Sequence, residues 1–98
     1  MINEKRAEIA SKLLVGTVTG ESITIASGGY TVSAVDVTKS GYTAIGLVSF
    51  SVGGSGSQHA SVFRCNLTSS TSAVLGVKNT DSSSHTWTQT LQILYIKD

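Results

Sequence analysis

Proline is absent from this chain, cysteine occurs once, and charged residues make up only 13% of the 98 positions. Each shortage excludes something. A single cysteine, Cys65, rules out an intrachain disulfide and fits synthesis in a reducing compartment. A formal net charge of +1 without a basic run leaves no electrostatic footprint for nucleic acid. No stretch nears the roughly 20 apolar residues of a membrane span, so membrane insertion is not expected. The opening MINEKRAEIASKLLV carries charges where a secretion signal needs an unbroken apolar region, so no signal peptide is expected. The missing proline removes a common means of blunting sheet edges, which must be covered in other ways.

Small hydroxyls supply the polarity instead. Ser and Thr together number 28 of 98 residues, with 10 Gly. Thr suits strands because its Cβ is branched, and Ser and Gly suit turns. Charge gathers at the start, in Glu4, Lys5, Arg6, Glu8 and Lys12. Ile2, Ile9 and Leu13 fall near one helical stripe, Asn3 can cap it, and Glu8–Lys12 is a favourable i,i+4 pair. The spacing predicts a short helix over 3–14, making 1–14 a helical or stalk segment and 15–98 the main domain. So short a helix must pack on something, either its own sheet or a bundle with neighbouring copies.

From residue 15 onward, strand-like runs alternate with turn signals. VGTVT leads through Gly20-Glu21 to SITIA, SGG precedes YTVSAVDV, and TKSGY precedes TAIGLVSFSV. GGSGSQ, TSSTS and TDSSS then separate HASVFRCNL, AVLGVKN and HTWTQTLQILYIK. Seven or eight strands at 8–12 residue spacing predict an all-β fold, an antiparallel β-sandwich or jelly roll.

Two of these runs are apolar on both faces. In TAIGLVSFSV, strict alternation puts Ala44, Gly46 and Val48 on one face, with Ile45 and Leu47 on the other. At the end of the chain, Leu94 and Ile96 make the second face of the Leu91–Ile93–Tyr95 run apolar as well. One short helix covers one such patch, not two. Ile45, Leu47, Leu94 and Ile96 are therefore expected at contacts between identical subunits.

Catalytic signatures are missing. GGSGS lacks the frame and setting of a nucleophile elbow, and Asp36 and Asp81 have no carboxylate neighbours in sequence. His59 and His85, the only imidazoles, show no zinc-motif spacing. Cys65 alternates with Phe63 and Leu67 and reads as a buried small hydrophobe. No catalytic residue, metal site or cofactor is expected. Binding remains, and Tyr30, Tyr42, Asn79, Asp81 and His85 are the candidate ligand contacts, since turn-borne hydroxyls, amides and rings suit sugars. Trp87 could stack on a sugar, but its place in the Leu91–Ile93–Tyr95 row favours a core role.

The stretches SGYTAIGLVSFSV and LGVKNTDSSSHTWTQTLQILYIKD resemble the closing part of tail-fibre and baseplate proteins of phages that infect Gram-positive bacteria. The likeness covers residues 41–98. It implies a β-sandwich head, a homo-oligomer and usually a trimer, carried on the virion among other virion proteins and binding host-surface saccharide. It transfers no individual site residue. The competing expectation is a structural capsid or fibre decoration protein without a ligand. A small hydrolase has the least support.

Overall fold

Branched Thr, Val and Ile favour the pleated backbone, and they populate six strands in the computed structural model, which describes residues 10–98. The strands are Leu13–Ile25 (β1), Tyr30–Asp36 (β2), Tyr42–Gly53 (β3), Ala60–Leu67 (β4), Ser72–Asn79 (β5) and His85–Lys97 (β6). All pairings are antiparallel, in two three-stranded sheets ordered β1-β6-β3 and β2-β5-β4. Only the β4–β5 connection stays within one sheet; every other link carries the chain between sheets. The fold is all-β, with six strands where seven or eight were expected.

The difference in number has a local cause. Gly20-Glu21, expected to turn the chain, instead forms a bulge inside one long strand: pairing with β6 runs to Thr19↔Thr90 and resumes at Ser22↔Thr88. VGTVT and SITIA are thus two halves of β1. The expected helix over 3–14 lies outside the described residues for its 3–9 part. Residues 10–12 are helical, and Leu13 and Leu14 already belong to β1.

The inner row of β6 organises the interior. Trp87, Leu91, Ile93 and Tyr95 are each 2% exposed or less, and burying side chains of this size stabilises by roughly 1.5–3 kcal/mol apiece. They meet Ala73, Leu75 and Val77 of β5 across the sandwich, forming two adjacent clusters. Leu91, Ile93 and Tyr95 pack with Val35, Val37, Ala44 and Ala73. Trp87 packs with Ile25, Leu75 and Val77. Cys65, expected to be buried, is half-buried against both clusters, and that burial pushes its thiol pKa up.

Two bulges resolve the two-sided appearance of β3. They fall between Ala44 and Gly46 and between Leu47 and Ser49. Each inserts a residue and shifts the alternation by one. Ala44 and Leu47 therefore both reach the core, three positions apart, while Ile45 and Val48 are left exposed. Leu47, expected between subunits, is a core-facing residue. Leu94 and Ile96 do lie on the outer face of β6, opposite buried Ile93 and Tyr95, and stay half-buried there.

One polar side chain interrupts the apolar row. Gln89 is 2% exposed, sits between the two clusters, and has no hydrogen-bond partner for its amide among the described residues. Its amide keeps contact with solvent through the groove between β1 and β2, so it bears only part of the roughly 1–3 kcal/mol that a fully buried unpaired amide costs. Replacing it with the similarly shaped apolar Gln89→Met should stabilise the protein by about 1 kcal/mol. That gain raises the melting temperature by roughly 4–8 °C for a domain of this size. A lower melting temperature than wild type would contradict this account of Gln89.

Candidate functional site

The loop end where β5 hands the chain to β6 is held by Asn79. This residue closes β5 with 0% exposure. Its Nδ2 donates to the carbonyls of Ile25 (3.0 Å) and Ser83 (2.8 Å), and its Oδ1 accepts the Asp81 N–H at 2.9 Å. Its own N–H donates to Gly29 O at 2.9 Å. A buried amide with these contacts ties the end of β1, the start of β2 and the 79–83 turn together.

Asn79 thereby positions Asp81. The Asp81 carboxylate accepts the Ser82 N–H at Oδ1 (2.7 Å), and its Oδ2 lies 2.6 Å from His85 Nε2 and 3.8 Å from His59 Nε2. The His85 hydrogen bond, the Ser82 N–H and the nearby imidazoles hold its carboxyl below the ordinary range. An ionised carboxylate only accepts, so His85 presents Nε2–H toward it.

The rings are stacked as well. His85 lies over Trp87 with centroids 5.3 Å apart and planes 9° from parallel, and His59 stacks on His85 at 6.1 Å and 17°. Trp87 is core, as its row predicts, and its Nε1 donates to Ser55 O at 2.9 Å. That bond ties the 53–57 loop to the cluster. Gly56 in this loop has φ +75°, and a Cβ there would run into the His85 ring. Both its backbone and its missing side chain are required.

His59 Nε2 is brought to Asp81 by the β4–β5 hairpin: Thr80 N–H and Oγ1 both donate to His59 O, at 3.0 and 2.8 Å. Side-chain exposure is 40% for His59, 26% for Asp81 and 16% for His85. The carboxylate and both imidazoles are therefore reachable from outside. No Ser, Thr or Cys side chain among the described residues hydrogen-bonds either imidazole, and no group of three or more metal-ligating side chains forms among them.

Of the five expected ligand contacts, Asn79, Asp81 and His85 come together. Asn79 is wholly buried, so it is a positioning residue. Tyr30 lies elsewhere, 68% exposed at the start of β2, its ring edge-on to Phe63 at 5.9 Å. Tyr42 begins β3 at the other end of β6, edge-on to Tyr95 with Lys39 Nζ 5.6 Å from its ring centre. His59 is the member of the cluster that sequence reasoning left out. No family model, no curated protein and no solved structure matches this chain.

The Asp81 carboxyl carries a pH signature. Its pKa in the folded protein lies below the ordinary 3.8, so its contribution is fully present above that value and is lost as pH falls through the lower folded pKa. Urea melts of wild type and Asp81→Asn between pH 7 and pH 2 should show wild type more stable at neutral pH, with the gap closing below pH 4. A gap independent of pH would refute the assignment.

Proposed function

We propose that the chain is an oligomeric virion module of the tail-fibre or baseplate head kind, which holds host-surface saccharide through its loop end. The observation that carries this reading is the outer face of the β1-β6-β3 sheet. Val15, 51% exposed, pairs with Leu94, which pairs with Gly46 on the far side; Leu13, Ile96 and Thr43 form the next row. An apolar strip across β1 and β6, met on β3 by Gly46 and Thr43, is surface that one copy leaves partly exposed, and strips of this kind mark association sites.

The shape agrees. The radius of gyration is 16.1 Å, against about 13 Å for a compact domain of this length. Elongation increases the surface that a second copy can hide. The strand order β1-β6-β3 over β2-β5-β4 has the nesting of a jelly roll with one hairpin fewer, and we read the fold as that. A closed trimer would turn three weak sugar sites into firm attachment. At the loop end, Asp81, His59 and His85 offer accepting and donating groups, with Ser82 beside them. These suit a polyhydroxylated ligand.

A structural decoration role without ligand is the second reading. It is favoured by one observation: the Asp81 carboxylate already has partners inside the protein at both oxygens.

Light scattering at micromolar concentration should give three times the 10.2 kDa chain mass. A Val15→Lys, Leu94→Lys double variant should fall to one. A monomeric wild type would sink the oligomer. Wild-type oligomer should also adsorb to host cell walls and lose adsorption in Asp81→Asn. Adsorption unaffected by that change would remove the loop end from the proposal, and no adsorption at all would leave the decoration reading.

A further inference from the structure

We propose a second binding site, for a primary ammonium group, in the groove between the free edges of β1 and β2. It has a volume of about 420 Å³ and is lined by Gly20, Glu21, Ser33, Val35, Asp36 and Gln89 among others. That is the size of a small-molecule site. It lies outside the loop-end cluster and does not depend on the oligomer.

Three observations converge on it. Gln89 is buried to 2% exposure, and its amide has no partner among the described residues. What remains open of it faces this groove: a Cβ added at Gly20 would stand 3.4 Å from Gln89 Oε1 and 3.6 Å from Val35 Cγ2. The groove is thus floored by an amide oxygen and lacks the side chain that would cover it.

Second, the exposed acidic residues Glu21 and Asp36 stand in its lining, which contains no Lys, Arg or His. No cation among the described residues pairs with either; the Asp36 carboxylate accepts from Thr38, its N–H at 2.9 Å and its side chain. Third, the bulge at Gly20-Glu21 takes these two residues out of the ladder with β6. Bulges commonly re-aim side chains next to functional sites.

The lining chemistry selects the ligand. Carboxylates repel anions, and two solvated acids at the rim of one groove attract a cation, whereas a neutral sugar gains nothing from their charge. A bare calcium ion wants six to eight oxygens close around it, whereas this groove is far wider than one ion and holds two acids. An ammonium supplies the missing charge and three donors, which Gln89 Oε1, the carboxylates and the Ser33 or Thr19 hydroxyls can accept. Ile23 and Val35 flank an aliphatic or ring body. The ammonium comes either from a lysine side chain of a protein partner or from an amino sugar.

The test is an NMR titration of the full chain at pH 7 with Nα-acetyl-lysine methylamide and with glucosamine. Controls are Nα-acetyl-norleucine methylamide, N-acetylglucosamine and calcium chloride. One or both ammonium probes should shift the Gly20 and Glu21 amides and the Gln89 side-chain NH₂, and which one binds identifies the source. Neutral controls should bind at least about tenfold more weakly, as expected for losing one charge-assisted hydrogen bond. Gln89→Met and Glu21→Gln should each weaken binding by about the same factor. Gly20→Val, which fills the cradle without a positive φ to strain, should abolish it. Equal binding of the neutral controls, selective calcium binding, no shift with either ammonium probe, or full affinity in folded Gln89→Met would each overturn the proposal.

Discussion

Burial of one face of β6 is the constraint from which the rest of this structure follows. β6 is the central strand of its sheet, and its inner residues Trp87, Leu91, Ile93 and Tyr95 are shielded from water by β5 and the flanking strands. Their two polar atoms are satisfied by connecting segments: Trp87 Nε1 donates to Ser55 O, and Tyr95 Oη donates to Val37 O at 2.6 Å. Burial and hydrogen bonding thus act together, because an indole or phenol this deep needs a partner. The partners are loop carbonyls, so packing of the core also fixes the loops at both ends of the sandwich.

The loop-end cluster is a consequence of that arrangement. Trp87 presents its face to His85, and His85 reaches Asp81 only because Asn79 holds the 79–83 turn in place. Each step passes from an immobile group to a more exposed one. Reactive or binding groups on a surface gain definition when the shell beneath them is locked. Here the lock is a fully buried amide whose donors and acceptor all have partners.

Much of this was legible in the sequence. The alternating row of β6 identified its core side correctly, Trp87 included, and the turn signals located most loops. Bulges were not legible, since a bulge leaves no mark in the alternation except an apparent error of phase. Ala44 and Leu47 are three apart and both point inward, so strict period-two reading sent Leu47 to the wrong face. Gly20-Glu21 looked like a turn because glycine beside a charged residue serves either purpose. His59 and Asp81 are 22 positions apart, and the β4–β5 register that brings them together is set by long-range pairing. The contact between His85 and Asp81, four apart around a turn, was the part within reach of local reasoning.

Gln89 shows why local consistency can fail at one point of an otherwise regular strand. Every neighbour in its row is apolar, and an apolar residue there would join the two clusters into one core. The amide keeps them apart at the level where the β1 bulge opens the sheet edge. A bulge alone would expose apolar surface in a groove, and a buried amide alone would go unpaired for no return. Together they make a polar floor under an opening flanked by acids. Positions where a sequence departs from what stability asks are where function is to be sought. In this chain the departure and the opening coincide in space, although Gly20 and Gln89 lie at opposite ends of the sequence.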